Sequence, residues 1–499
     1  MKIKDYFFNK DIYKPLLAGT LLALSRLPLR MGFLSFFFLI PLLLYFENDR
    51  SVKRSVVAGI AFSLAYTTVG LHWISLVTIS GFIGLYLIFG LYFSVLFGFM
   101  NYFNRKIPQL KYYIIILFWI IFEYIQNFGE FRFPWFNLGY SLADYLNLIQ
   151  LADIGGVYLL SGMSLLVNIL LYNIWKKGLS VTFALIILFA VWIGYGQIRL
   201  HTIKITSTDN KISLLQVSIS QELKWDESYL DSTVALYKNY TIKAAEYEPD
   251  LIIWPESALP VYLLRNYYYR EFVLDLARNL EVDIFTGFPH YELADKEHSQ
   301  KFKFYNSAAK FSKIGNVDIP YYKIYLVPVG ERMPLLKIFP ILWNIQLGQA
   351  NFEYGKELRY YDMSGYKYSP LICFEIAFAD LTRKMALNEV DFIVNITNDA
   401  WFHRSAGTYQ HAVMCRFRAV ETRKQIFRAA NTGYSLVVSP TGEIMKQSEL
   451  FEKIILTENL LLHKDKTFFT KYFHLFPLVL IILLAVLIGI LIQRLWNRR

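Results

Sequence analysis

A chain of 499 residues that is 55% hydrophobic and 17% aromatic but only 18% charged has too much apolar surface to stay disordered. Its length leads one to expect about three domains. Its 51 Lys+Arg against 40 Asp+Glu leave a net charge of +11, but the basic residues are scattered around apolar blocks rather than gathered in a stripe, which excludes a nucleic-acid partner. Two cysteines are too few for a disulfide scaffold or a four-thiolate zinc site. What remains is a membrane protein with a substantial water-facing part.

Apolar blocks near residues 12–28, 31–47, 55–76, 78–103, 111–127, 156–175 and 179–198 approach the roughly 17–25 residues that take a helix across ~30 Å of hydrocarbon. Backbone groups in lipid must bond within their own segment, so helices are expected for all seven. Met31–Phe46 and Val181–Tyr195 are the clearest, while Arg26 and Arg30 interrupt the first block. From about Leu200 to Thr470 charges become frequent. Short β-rich runs appear at Ile212–Ile219, Leu251–Trp254, Asp283–Phe288, Ser307–Phe311, Pro370–Ile372, Phe392–Ile396 and Ser435–Ser439. Helical patterns such as Ser228–Glu246 and Arg404–Gln425 separate them, which predicts a layered α/β domain. Phe473–Leu495 adds an eighth span. The expected division is a seven-helix membrane domain over 1–199, a water-facing domain over 200–470, and a C-terminal span with its tail over 471–499.

Orientation follows from the Lys and Arg residues. With the N-terminus in the cytoplasm, the inside segments hold Lys2, Lys4, Lys10 and Lys14, then Arg50, Lys53 and Arg54, then Arg105, Lys106 and Lys111. Lys176, Lys177, Arg494, Arg498 and Arg499 complete the inside set, whereas the outside loops hold little beyond Arg26, Arg30 and Arg132. This bias keeps both termini inside and puts residues 200–470 outside the cytoplasm.

Three chemically capable residues end apolar runs in the water-facing part. Glu256 closes Leu251-Ile-Ile-Trp-Pro-Glu, Lys323 lies in Tyr321-Tyr-Lys-Ile-Tyr-Leu-Val-Pro-Val-Gly-Glu331, and Cys373 ends Pro370-Leu-Ile-Cys. Reacting groups in α/β sheets collect beyond the carboxyl ends of strands. A thiol is a strong nucleophile only as its thiolate, so it needs a base and a nearby cation. Glu, Lys and Cys supply nucleophile, general base and a partner for a developing oxyanion. Each residue taken singly has an ordinary reading: a solvated strand-end acid, a surface lysine, a core thiol.

Trp254-Pro-Glu-Ser257, Tyr322-Lys-x-x-Leu-Val-Pro-x-Gly-Glu331 and Ile372-Cys-Phe-Glu375, in this order, resemble the nitrilase (carbon–nitrogen hydrolase) superfamily. With its flanking apolar blocks, the whole chain resembles the apolipoprotein N-acyltransferase family. Lys224-Trp-Asp226, Tyr305-Asn-Ser307, Asn398-Asp-Ala-Trp-Phe402, and Arg418-Ala-Val-Glu421 through Arg428-Ala-Ala-Asn-Thr-Gly433 add to the match. The resemblance implies an αββα sandwich inserted between transmembrane helices on an eight-helix membrane base, facing the periplasm from the bacterial inner membrane. It implies acyl transfer from a phospholipid to the N-terminal amine of a diacylglyceryl apolipoprotein, with Glu256 as base, Cys373 as nucleophile and Lys323 as oxyanion partner. Glu331 and Glu375 would support them, and Trp225, Asn306, Phe374 and Trp401 would contact substrate. Phe374 departs from the family, which usually has Tyr after the nucleophile. No organic cofactor is implied.

Lys337–Leu347, Leu264–Phe272 and Phe131–Phe136 read either as buried core or as segments touching lipid. His290, His298, His403 and His411 show no metal-ligand spacing, so no metal is expected. Cys373 and Cys415 are expected to stay unbridged, because a disulfide would remove the thiolate. Two other functions use the same residues differently. A membrane-tethered amidase would pass the acyl group to water, but such an enzyme has no need of a multi-helix lipid platform. A transporter needs paired ionisable residues within its spans, and Glu123 is one of few charges there.

Overall fold

The computed structural model describes residues 10–47, 51–294, 300–336, 338–339 and 351–497. Lys2, Lys4, Arg50, His298, Arg498, Arg499 and most of Lys337–Leu347 lie outside them. The chain divides into two units. The first comprises residues up to Gly129, Phe133–Thr202 and the chain from Lys471 onward; the second comprises Glu130–Arg132 and Ile203–Thr470.

Each of the eight expected spans contains helix. Among the described residues, five helices are long and apolar enough to cross a membrane: Ile79–Lys106, Pro108–Ile125, Ala152–Ile174, Leu179–Thr202 and Phe468–Trp496. The other three segments differ for physical reasons. Tyr13–Leu24 has only 12 residues, and Gly32–Phe36 is a 3-10 turn ahead of the short helix Leu39–Tyr45. Val52–Gly70 carries Lys53 and Arg54 in its first turn and packs between Tyr13–Leu24 and Ile79–Lys106. A helix face packed against protein uses small and polar residues where a lipid-facing one uses large apolar ones. Ser55, Ser63 and Thr67 are accordingly buried. A side chain at Gly59 would put its Cβ 2.3 Å from the Ser94 nitrogen, so only glycine permits this approach.

Arg26, which sits poorly with the charge bias, is buried. Its guanidinium donates to the carbonyls of Asn137 at 2.9 Å and Trp135 at 3.0 Å. Glu123 accepts from Trp119 Nε1 at 2.9 Å and from the Leu138 amide at 2.7 Å. Both charges therefore hold the 135–142 stretch and do not line a transport path.

Among the described residues the second unit contains twelve strands: β1 (Thr206–Gln216), β2 (Leu251–Ile253), β3 (Asp283–Leu293), β4 (Phe302–Phe311), β5 (Tyr321–Tyr322), β6 (Tyr361–Met363), β7 (Tyr366–Ile372), β8 (Phe392–Thr397), β9 (Gln425–Ala430), β10 (Leu436–Val438), β11 (Ile444–Gln447) and β12 (Ile454–Leu462). They form two six-stranded sheets, ordered β12-β1-β2-β3-β4-β5 and β11-β10-β9-β8-β7-β6. Period-two alternation explains the layering. Ile212, Leu214, Leu251, Ile253 and Phe285 point into a core shared with Tyr368, Ile372, Val394 and Phe427 of the other sheet. Their neighbours Leu215, Ile252, Trp254 and Ile284 face the opposite way. There they meet Tyr237 and Ala244 of α1 (Leu230–Ala245) and Val273 and Leu276 of α2 (Tyr267–Asn279). On the far side α3 (Ala379–Leu387) packs with α4 (Ala406–Thr422), which covers β9 and β10. The architecture is the expected αββα sandwich.

All seven β-rich runs lie in or overlap strands. The second predicted helix ends earlier than expected, because Arg423 takes φ +54° and turns the chain into β9. Trp254 is fully buried, packs at a tilt 4.7 Å from Tyr237, and donates from Nε1 to Thr241 at 3.1 Å. Trp254→Ala should therefore destabilise the unit by about 3–5 kcal/mol, read by denaturant unfolding followed by far-UV circular dichroism. A loss below about 1 kcal/mol would mean that this helix–sheet layer contributes little.

Candidate active site

Residues from both sheets build one buried polar cluster. The β2 strand is apolar and wholly buried, and the chain leaves it through Trp254-Pro255 into a turn where Ser257 has φ +48°. The Trp254 amide donates to the Phe285 carbonyl at 2.8 Å and the Ala258 amide to the Gly287 carbonyl at 3.1 Å, clamping this turn to β3. Glu256 then projects with both oxygens engaged. Oε1 accepts from Asn306 Nδ2 at 2.6 Å and Oε2 from the Asn398 amide at 2.9 Å. Lys224 Nζ donates to the Glu256 carbonyl at 2.9 Å.

Lys323 follows β5, its amide tied to the Asn306 carbonyl at 2.9 Å. Its Nζ lies 2.8 Å from Glu331 and 4.0 Å from Glu256. Asn306 Nδ2 also donates to Glu331 at 2.9 Å, so a single amide bridges two carboxylates. All four side chains are buried.

Cys373 ends β7 with φ +52°, a left-handed conformation that costs a side-chain-bearing residue energy and recurs at functional sites. Glu375 holds the turn. Its Oε2 accepts the Ile372 amide at 2.7 Å. Its Oε1 accepts the Tyr321 hydroxyl and the Ile324 amide, each at 2.7 Å, and the Tyr325 amide at 3.2 Å. Behind the thiol, His411 Nε2 lies 3.1 Å from the Cys373 carbonyl. A carbonyl only accepts, so Nε2 carries the proton. Nδ1 lies 2.9 Å from Asp399 and 3.0 Å from Arg428, and Arg428 reaches Asp399 at 2.7 Å and also bonds Asn395.

Burial pushes the Cys373 thiol well above its ordinary range, and Glu256 adds to this while Lys323 opposes it. Burial also raises Glu256, against the pull of Lys323. Burial works against the Lys323 charge, but Glu331, Cys373 and Glu256 together hold its pKa above that of a free lysine. Burial lowers Lys224 to about 8, with Glu256 opposing. Burial thus favours the neutral form of both the Cys373 thiol and the Glu256 carboxyl, and Lys323 favours the charged form of each.

Cys373, Asp399 and His411 offer ligand atoms within 4.8 Å of one another. The Arg428 guanidinium already sits against two of them, so the group behaves as a hydrogen-bonded network rather than a cation site. Both cysteines are free.

The structure brings Glu256, Lys323, Glu331 and Asn306 together, with Cys373 and Glu375 on the facing sheet. Phe374 is buried edge-on against Phe378 at 5.1 Å. Trp401 lies in the 3-10 turn Asp399–Phe402, and Trp225 is 46% exposed. Sequence reasoning did not assign Lys224, Asn398, or the His411–Asp399–Arg428 network. No local periodicity joins a strand, a turn and a helix, although all but His411 lie in the quoted motifs.

Residues 211–463 match the Carbon-nitrogen hydrolase family, which defines the class of the second unit. Residues 18–170 match the Apolipoprotein N-acyltransferase N-terminal domain. An apolipoprotein N-acyltransferase of Geobacter metallireducens is 33% identical over 494 residues, covering 94% of this chain and 92% of its own. One from Rickettsia typhi is 31% identical over 471 residues, covering 89% and 92%. A solved amidase from Nesterenkonia sp. aligns over 54% of this chain and 95% of its own, at 17% identity and a TM-score of 0.41. The chain belongs to the apolipoprotein N-acyltransferase family, and it is a membrane acyltransferase.

Two outcomes follow from this geometry. A Cβ at Gly287 would lie 2.9 Å from the Glu256 Cα and 3.0 Å from the Ser257 nitrogen. Gly287→Ala should displace the Glu256 turn and cut acyl transfer roughly 10²-fold, with far-UV circular dichroism unchanged; near-normal turnover would show that the turn tolerates the shift. Burial also raises the Glu375 carboxyl from 4.5 to about 7. The folded protein then binds this proton more tightly than the unfolded chain, so stability falls as pH rises through that window and is level above it. Melting of wild type against Glu375→Gln from pH 4.5 to 7 should show a smaller slope in the variant.

Proposed function

We propose that the protein moves an acyl chain from a phospholipid to the α-amino group of an N-terminal diacylglyceryl-cysteine, through a thioester on Cys373. The observation that carries this reading is the buried Glu256–Lys323–Glu331 cluster facing a cysteine held in a strained, left-handed conformation. Glu256 takes the thiol proton as sulfur attacks the ester carbonyl. Lys323 binds the oxyanion more tightly than the ground-state carbonyl. The carbon–oxygen bond then breaks, the leaving alkoxide takes the proton back from Glu256, and a lysophospholipid departs. The acceptor amine next attacks the thioester and gives its proton to Glu256, and the sulfur leaves and is reprotonated.

Supporting roles follow from the contacts. Glu331 fixes the Lys323 ammonium, Glu375 fixes the turn that carries Cys373, and Asn306 spaces the two carboxylates. Phe374 packs against Phe378 beside the thiol, while Trp225 and Trp401 serve as aromatic contacts for the acyl chain. Membership of the apolipoprotein N-acyltransferase family supports a bacterial inner-membrane location, and the Lys and Arg distribution supports residues 1–199 and 471–499 in the bilayer with residues 200–470 on the periplasmic side.

Intact-mass measurement of the full chain mixed with phospholipid should show one added acyl chain on the peptide containing Cys373. Double-reciprocal plots with both substrates varied should be parallel. Intersecting lines without an adduct would mean direct transfer, and an adduct released only to water would make the protein an amidase. Lys323→Ala should lower turnover about 10²–10³-fold. Cys415, buried within α4, is expected to be dispensable, so Cys415→Ala should keep most activity.

A further inference from the structure

One fully buried group beside the nucleophile has no part in the acyl-transfer steps: His411 of α4, with Asp399 and Arg428. A ring nitrogen of His411, an Asp399 carboxylate oxygen and the Cys373 sulfur lie within 4.8 Å of one another. Such proximity would suit a second base for the thiol, but both ring nitrogens are engaged elsewhere. Nε2 meets the Cys373 carbonyl at 3.1 Å, and Nδ1 lies 2.9 Å from Asp399 and 3.0 Å from Arg428. The ring acts on the main chain of the nucleophile and not on its sulfur.

Several elements converge to hold that ring. Arg428 of β9 donates to Asp399 Oδ2 at 2.7 Å and bonds Asn395 of β8. Thr397, at the end of β8, donates from Oγ1 to Asp399 Oδ1 at 2.9 Å. The Phe402 ring meets the imidazole edge-on at 6.1 Å. The main chain at Gly433 closes on the same carboxylate, where a Cβ would lie 2.5 Å from Oδ2. A satisfied buried network of this kind is rigid. Nε2 carries a proton both in the neutral tautomer, whose Nδ1 accepts from Arg428, and in the imidazolium that would pair with Asp399. Its bond to the carbonyl therefore persists in either charge state.

The acceptor is what gives this network a function. Cys373 leaves β7 with φ +52°, a conformation that a side-chain-bearing residue keeps only where its surroundings enforce it. Glu375 grips the chain just before it, through the Ile372 amide at 2.7 Å. His411 grips the peptide just after it. That peptide is trans, and a trans peptide carries its C=O and N–H in opposite directions, so one bond sets the direction of both. We infer that His411 is a positioning residue for acyl transfer, which through the Cys373 carbonyl holds the nucleophile's main chain in the left-handed conformation from which the sulfur reacts. This rests on the thioester reading proposed above. The same sulfur attacks in the first half-reaction and leaves in the second, so losing the bond slows both.

The test compares full-length variants in phosphatidylethanolamine vesicles with a diacylglyceryl lipopeptide as acceptor. Quenched intact-mass measurement with peptide mapping gives the rate of adduct formation on Cys373, and steady-state turnover gives kcat and KM. His411→Asn keeps a polar group beside Asp399 but is too short to reach the carbonyl, and His411→Leu has no donor at all. Each should form the adduct about 10²-fold more slowly, with kcat falling alike and KM for either substrate within about twofold of wild type. His411→Gln carries an amide N–H at the reach of Nε2 and should stay within about fivefold of the wild-type rate. If the Leu variant loses its far-UV circular dichroism, the Asn variant decides. Wild-type rates in a folded Asn or Leu variant would overturn the inference alone. So would a Gln variant as slow as those two, or a loss confined to KM. Wild-type protein that forms no adduct on Cys373 would overturn the thioester reading and this inference with it.

Discussion

An ammonium can be taken out of water only where negative charge and hydrogen bonds replace its hydration, and removing one partner of such a group leaves an uncompensated charge. Lys323 is placed under that constraint, and much of the second unit answers to it. Glu331 contacts its Nζ at 2.8 Å and Glu256 approaches to 4.0 Å. Two carboxylates so close would repel each other, and the Asn306 amide, donating to both, relieves this. Meeting these demands requires the end of β2, the middle of β4 and the residue after β5 to converge, and these strands share one sheet with only β3 between β2 and β4. The other sheet supplies the Asn398 amide to Glu256, so the two sheets are joined by a hydrogen bond at the site as well as by their apolar faces.

The same economy governs the thiol. Cys373 departs from its strand with left-handed φ, and the surrounding contacts make that conformation the one the chain adopts. Glu375 gathers four donors from both sides of the sandwich, while His411 holds the Cys373 carbonyl from behind. Burial and then the Arg428 charge disfavour protonation of the imidazole, and Asp399 favours it. Arg428 meanwhile holds Asp399 ionised against burial. The charge stored behind the cysteine is thus balanced locally, and Lys323 is the cation that favours the thiolate.

Much of this was legible in the sequence, for identifiable reasons. The β2, β7 and β8 runs are short, apolar and bounded by polar residues, so each residue immediately after a run was exposed as a candidate, and Glu256 and Cys373 stand there. Asn306 and Glu331 came through motif context rather than periodicity. The strands that escaped notice had other reasons to look unlike strands. β9 buries Arg428 in its centre, and β12 alternates imperfectly along an edge. Among the apolar blocks, hydropathy detected helices but not their neighbours. Val52–Gly70 packs one face against two other helices, and the small and hydroxyl-bearing residues of that face are what close packing selects. His411 was invisible because its partners arrive from another strand and another turn.

Arg26 has a consequence for how the protein is made. Its guanidinium donors are satisfied by carbonyls 109 and 111 residues further along the chain. A ribosome adding roughly 5–20 residues per second exposes the first helix to the membrane several seconds or more before those carbonyls exist. During that interval the guanidinium has to keep water as its partner, because those carbonyls are not yet available. The contacts between Arg26 and the 135–142 stretch therefore form late. A segment translated early is among the last to settle.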